Sequence, residues 1–365
     1  MDTNNKTIML YLTSLNKGGA ERVFVQLAEK FAQHGYRSII VTSYINKERG
    51  EYELSENVLR LSLEQDQIAQ SRLMRNYTRI KKLRELCKEY NPAILISCMQ
   101  EPNFRAMLAT MGLPIKNLVS VCNAADKEYP GIMGKFVGKV LMPMAEGCVF
   151  QTEDEKAWFP KRLQDKGRII MNQVNTAFFE AEFSGTRHDF VSVGRLNYQK
   201  NQALLIKSFA SIADKTEENL LIYGAGEKYD SLQTLITELG MTDRIKLMGN
   251  TNDVANAIKG AKAFVLSSDF EGLPNALLEA MALGLPCICT DCLGGGPAMV
   301  IENGKNGILV PMGDEKALSA AMLDMLLNEE KAEAMGKAAK VYANSFRPEE
   351  VFELWHDYVK DILAK

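Results

Sequence analysis

Two carboxylates, Glu271 and Glu279, interrupt the otherwise apolar stretch "FEGLPNALLEAMALGLP". Glu271 stands before Gly272-Leu273-Pro274, and Glu279 lies among Leu277, Leu278, Ala280 and Met281. A helix opening at Pro274-Asn275 suits proline's preference for a first turn, and the loop glycine allows close approach by a ligand. Glu271 then sits on the loop before the helix and Glu279 about one turn inside it. Such a pair can accept hydrogen bonds from vicinal hydroxyls, which a sugar and a ribose both present. The spacing equally fits a capping acid near a positive helix end and an exposed helix glutamate. The pair alone does not choose.

Four further loops carry groups of interest. In "SLNKGGAER", Gly18-Gly19 precede a helix, where backbone N–H groups can meet an anion or simply make a tight turn. No Walker lysine-serine follows, and the G-x-G-x-x-G fingerprint is missing. In "VGRLNYQKN", Arg195 and Lys200 follow a strand-like run. A guanidinium fork and an ammonium on one loop suit a diphosphate. "YGAGEKYD" offers Gly224 and Gly226 for close approach to a base or ribose. "GNTNDV" offers Asn250, Asn252 and Asp253 as polar contacts to a base. Ordinary turn chemistry also accounts for these last two.

These loops need a scaffold, and the chain supplies one twice. Runs such as "TIMLYLTS", "RSIIVTSY", "AILISCM", "NLVSVCN", "GCVFQT" and "RIIMNQV" are continuously apolar, as strands of a parallel sheet covered on both faces should be. Helical segments alternate with them, as in "AERVFVQLAEKFAQHG". After an aperiodic stretch at 175–188 the pattern restarts with "DFVSVGRL", "NLLIYG", "RIKLMG", "AFVLSS", "PCICTD" and "GILVP". The reading is two doubly wound, Rossmann-like α/β domains, 1–178 and 186–346, facing across a cleft. The amphipathic segment 347–365 is expected to pack back on the first. Ligands of such sheets bind at the carboxyl ends of the strands.

A chain of 365 residues with 46% hydrophobic and 24% charged content fits two soluble domains. No run reaches spanning length, and the N-terminal "MDTNNKTIMLYLTS" is unlike a signal peptide, so a cytoplasmic protein is expected. The seven cysteines are expected as buried free thiols. Residues 1–180 hold 25 Lys/Arg against 20 Asp/Glu, and the remainder 18 against 26, so the halves are expected to face different partners. From Arg72 to Lys88 there are seven cations, with Arg72, Arg75, Arg79 and Lys82 at helical spacing and Leu73, Tyr77, Ile80 and Cys87 on the other side. This is either a solvated basic face or, with "IMGKFVGKVLMP", a surface for anionic lipid. No motif that reads nucleic acid accompanies it.

Taken together, "GGAER", "VGRLNYQKN", "GAGE", "EGLPNALLE" and "CLGGGPAMVIENGKNGILVP", in this order over nearly the whole chain, resemble the family 4 retaining glycosyltransferases of the GT-B fold. The likeness is to bacterial members that build lipid-linked or surface polysaccharide. It implies transfer of a hexose or N-acetylhexosamine from a nucleotide-sugar, UDP-linked, to a glycan or lipid-diphosphate saccharide. The nucleotide-sugar is a substrate, and no cofactor is implied. Arg195 and Lys200 would hold the donor diphosphate, Glu279 the ribose and Glu271 the transferred sugar. Gly18, Gly19, Gly224, Gly226, Asn250, Asp253, Leu273, Pro274 and Asn275 would complete the donor site. Gln100, Asn103, Asn123 and Asp126 are placed on the acceptor side. The chain has no Asp-x-Asp, so no metal is inferred.

Two departures stand out. Cys122-Asn123 occupies a loop where relatives often carry His or Arg, and Met171-Asn172-Gln173 stands where they commonly read Pro-Asn-Pro. These departures leave room for a catalytically idle nucleotide-sugar-binding protein. A sugar-nucleotide epimerase or phosphorylase of the same fold is a further alternative.

Overall fold

The computed structural model describes residues 6–16, 18–45, 50–64 and 71–365, with Arg72 described in its backbone only. The N-terminal residues 1–5 and the Arg72 cation of the basic face therefore lie outside the described residues. The chain divides into two compact units, 1–172 with 351–365, and 173–350.

In the first unit the continuously apolar runs form a parallel sheet of β1 (Thr7–Leu12), β2 (Arg37–Thr42), β3 (Val58–Ser62), β4 (Ile94–Cys98), β5 (Lys116–Ser120), β6 (Gly147–Phe150) and β7 (Gly167–Ile169). Their order is β3-β2-β1-β4-β5-β6-β7. Leu10 is flanked by Ile40 and Ile96 on one face, and Met9 by Ile39 and Leu95 on the other, so the centre of the sheet is apolar on both faces. The strand order reverses between β1 and β4. Helix Gly19–Gln33 covers one face with Phe24, Leu27, Ala28 and Phe31. Helices Arg72–Tyr90 and Gln100–Thr110 cover the other, where Leu83, Cys87, Ala106 and Ala109 meet Met9, Ile39 and Leu95.

The last helix, Pro348–Ala364, has no strand after it, so its apolar stripe needs another surface. Val351, Phe352, Trp355, Tyr358, Val359 and Ile362 enter the first unit's core beside Phe24, Phe31 and Val149. Tyr358 Oη accepts from Cys148 N at 3.0 Å, and Arg168 pairs with Asp361.

The second unit begins at Gln173. Within 175–188, Asn175 caps a short helix, Thr176–Glu180, before the chain enters the sheet. The strands are β8 (His188–Val193), β9 (Leu220–Tyr223), β10 (Ile245–Gly249), β11 (Ala261–Leu266), β12 (Cys287–Asp291) and β13 (Ile308–Pro311). All pair in parallel, in the order β10-β9-β8-β11-β12-β13. The reversal falls between β8 and β11. Phe190, Leu205, Phe209, Ile222, Val265 and Met322 lie in this unit's core. All seven cysteines are free thiols, six of them buried.

Candidate functional site

In a doubly wound sheet the loops leaving the two strands at the reversal point part to opposite faces and open a crevice. In the second unit those loops carry Arg195 and Lys200, after β8, and Glu271, after β11. Many hydrogen bonds join them. Asp269 N donates to Gln199 O at 2.9 Å, and Gln199 Nε2 donates to Phe270 O at 3.0 Å. Asn201, held at a left-handed φ of 42°, donates through Nδ2 to Asp269 Oδ1 at 2.8 Å. Ser267 Oγ donates to Lys200 O at 2.9 Å and to Asn201 O at 3.1 Å. A three-residue 3-10 turn, Tyr198–Lys200, is thereby fixed against the second loop.

The Lys200 ammonium forms an ion pair with Glu271 Oε1. Ser268 Oγ donates to the same oxygen at 2.6 Å, and Gln199 Nε2 reaches Oε2 at 3.3 Å. Glu271 is 5% exposed, so this is a desolvated carboxylate satisfied by one cation and two neutral donors. Arg195 differs. It is exposed, and its guanidinium has no hydrogen bond or ion pair among the described residues.

Glu279 lies in helix Asn275–Ala282, capped by Pro274, and is buried rather than solvated. Leu273 is buried and Asn275 half-buried. The apolar residues between the two glutamates pack into the unit. Gly272 O and Gly296 approach so closely that a Cβ on Gly296 would stand 1.6 Å from that oxygen.

The "GAGE" glycines have a local packing reason. A Cβ on Gly224, whose φ is 137°, would stand 1.9 Å from Gly194 O. One on Gly226 would stand 2.2 Å from Leu196 O. Leu196 N also donates to Ala225 O at 3.0 Å, so this loop buttresses the backbone on both sides of Arg195. Asn250 and Asp253 are exposed on the loop after β10, two strands from the reversal point. Asp253 accepts from Asn256 Nδ2 at 2.6 Å and caps a short helix through Asn256 N at 3.1 Å, and those hydrogen bonds lower its pKa.

In the first unit, Gly18 and Gly19 follow β1 at the other reversal point, with Gly18 as the N-cap of Gly19–Gln33. Across that point Met99 adopts a φ of 75°, rare for a side-chain-bearing residue, directly before Gln100. Gln100 and Asn123 are half-buried and Asp126 is exposed. Asn103 is corrected from an acceptor-side residue to a structural one. It is fully buried, accepts from Ser97 Oγ at 2.7 Å and donates to Tyr129 Oη at 2.8 Å and Ser120 O at 3.0 Å. The sequence reading passed over Glu128. Its Oε2 accepts from Cys122 N at 2.9 Å, its Oε1 is buried without a hydrogen-bond partner, and burial raises its carboxyl to about 7. Gln199 and Ser268 were also passed over, because nothing in a sequence marks which donors will converge on Glu271.

The basic face of Arg72–Tyr90 is also corrected. Arg79 is buried in a two-pronged pair with Glu64, at 3.0 and 2.8 Å. Lys82 donates to Leu63 O, and Arg84 donates to Ala109 O and Met111 O. Leu73 and Tyr77, expected on the packed side, are exposed. Further exposed apolar residues lie on helix Gly131–Phe136 and the π-helical turn after it, where Ile132, Met133, Phe136 and Val140 are exposed along with Lys135 and Lys139. Among the described residues, no helix is long and apolar enough to cross a membrane.

The family model Glycosyltransferase Family 4 matches residues 17–178, and Glycosyl transferases group 1 matches residues 173–342. The chain belongs to the family 4 glycosyltransferases and has the GT-B fold. It is 27% identical over 345 residues to a glycosyltransferase of Haemophilus influenzae, covering 93% of this chain and 95% of that protein. It is 26% identical over 366 residues to the Campylobacter jejuni N-acetylgalactosamine-N,N'-diacetylbacillosaminyl-diphospho-undecaprenol 4-alpha-N-acetylgalactosaminyltransferase, covering 92% and 94%. Among solved structures, Anabaena HepE in complex with UDP aligns with a TM-score of 0.81 at 15% identity, over 97% of this chain and 100% of that one.

Proposed function

We propose that this glycosyltransferase moves a hexose or N-acetylhexosamine from a UDP-sugar to a lipid-linked saccharide in the assembly of bacterial surface polysaccharide. We further propose that the transfer retains anomeric configuration and needs no metal. The acceptor class follows the name of the Campylobacter relative, and the nucleotide follows the UDP of the Anabaena neighbour. The observation that carries the reading is the joining of the Arg195–Lys200 loop to the Glu271 loop at the β8/β11 reversal point.

Arg195 and Lys200 neutralise the diphosphate as its bond to the sugar breaks, so catalysis is mainly positioning and charge stabilisation. Glu271 accepts hydrogen bonds from the transferred sugar and Glu279 from the ribose. The leaving diphosphate itself takes the acceptor proton. Gln100, Asn123 and Asp126 are assigned to the acceptor side. The enzyme works at the cytoplasmic face of the membrane, and we assign lipid contact to Ile132, Met133, Phe136 and Val140 with Lys135 and Lys139. Helix Arg72–Tyr90 is the weaker candidate, because three of its cations are engaged within the fold.

The test is incubation with a panel of UDP-hexoses and UDP-N-acetylhexosamines and undecaprenyl-diphosphate saccharides. One pair should give a product with the donor's anomeric configuration. Tight UDP-sugar binding with no transfer to any acceptor would favour the idle binding protein instead.

A further inference from the structure

Glu271 offers about four acceptor positions on its two oxygens. Oε1 takes the Lys200 ammonium and the Ser268 hydroxyl, and Oε2 takes the Gln199 amide, which leaves a position on Oε2 for an incoming hydroxyl. Under the function proposed above, Lys200 also serves the diphosphate, so its hold on Glu271 is shared. Ser268 and Gln199 have no second duty toward substrate. Ser268 is fully buried and Gln199 is 6% exposed.

Both are anchored from behind. Thr290 Oγ1 donates to Ser268 O at 2.6 Å, and Gln199 ties its amide to Phe270 O and its carbonyl to Asp269 N. A carboxylate removed from water needs such donors to stay satisfied and aimed when a cation is drawn away.

We propose that Ser268 and Gln199 are positioning residues for the sugar subsite. They hold the Glu271 carboxylate toward the transferred sugar independently of Lys200, and so set the affinity for the sugar more than that for the nucleotide alone. This inference rests on the donor site proposed above.

The test is calorimetric titration of the full chain with UDP, and separately with UDP-glucose, UDP-galactose, UDP-N-acetylglucosamine and UDP-N-acetylgalactosamine. Wild type, Ser268→Ala, Ser268→Thr and Gln199→Met are compared. Ser268→Ala should bind UDP as wild type does, and Gln199→Met, which also loses the bond to Phe270 O, should lose less affinity for UDP than for the UDP-sugar. For whichever UDP-sugar the wild type binds, each should lose about tenfold in affinity, as loss of a hydrogen bond to a charged group does. Ser268→Thr, which keeps the hydroxyl, should recover the loss. Should Ser268→Ala not fold, Gln199→Met carries the same comparison. Parallel losses for UDP and UDP-sugar, or unchanged UDP-sugar affinity, would overturn the inference. Wild-type protein that binds neither UDP nor any UDP-sugar would instead sink the proposed donor site, and this inference with it.

Discussion

Arg195 and Lys200 occupy one loop but differ physically, and the difference separates catalysis from folding. Arg195 is exposed and unpaired among the described residues, so Arg195→Ala should change stability by no more than about 0.5 kcal/mol. If its guanidinium stabilises the leaving diphosphate, the same substitution should slow transfer about a hundredfold, or roughly 3 kcal/mol. Transfer rate and melting temperature of the variant check both halves. Lys200→Ala should slow transfer comparably, but it also leaves Glu271 buried without its cation. Some loss of melting temperature should therefore accompany it, limited by the donors from Ser268 and Gln199. Full activity in Arg195→Ala would remove this loop from the mechanism. Arg195, Lys200, Glu271 and Glu279 were legible because their types fit phosphate and hydroxyls at strand ends. Ser268 and Gln199 were not, since their role arises only when loops about 70 residues apart meet.

Among the elements, the terminal helix has a titratable link to its docking surface. Tyr36 Oη and His356 Nε2 lie 3.0 Å apart, and His34, Glu353, Asp357 and Lys360 surround the ring. Burial, followed by Lys360, lowers the His356 pKa below 6.5. The unfolded chain thus takes up the proton more readily than the folded one. Stability from this contact is complete above about pH 6.5 and declines as pH falls through the lowered value. Melting temperature should drop over that range in wild type, and His356→Gln should flatten the drop. An identical profile in the variant would assign the slope to other groups.

The same scale shows where sequence patterns stop informing. Twelve of the thirteen parallel strands at least partly overlap simple apolar runs, whereas β3 was missed because Leu59 and Arg60 face partly outward at the sheet edge. The helical wheel of Arg72–Tyr90 misplaced Leu73, Tyr77 and Arg79, because Glu64 lies in a different segment and draws Arg79 inward.

At the scale of the whole molecule, each half carries its own core and its own reversal point, and the first half also takes in the terminal helix. This organisation was legible because strand and helix alternate twice in the sequence. If the exposed apolar face of the first unit meets lipid, binding to vesicles containing phosphatidylglycerol should weaken in Ile132→Asp and Phe136→Asp. It should fall only partly with salt, because apolar insertion is not screened as the contribution of Lys135 and Lys139 is. Cosedimentation measures this, and unchanged binding in both variants would remove the face from membrane contact. The most direct test of the account is a crystal structure of the protein with UDP. The diphosphate should lie at the β8/β11 reversal point within hydrogen-bond distance of Arg195 and Lys200, with the ribose on Glu279. A nucleotide bound elsewhere, or a diphosphate touching neither cation, would contradict it.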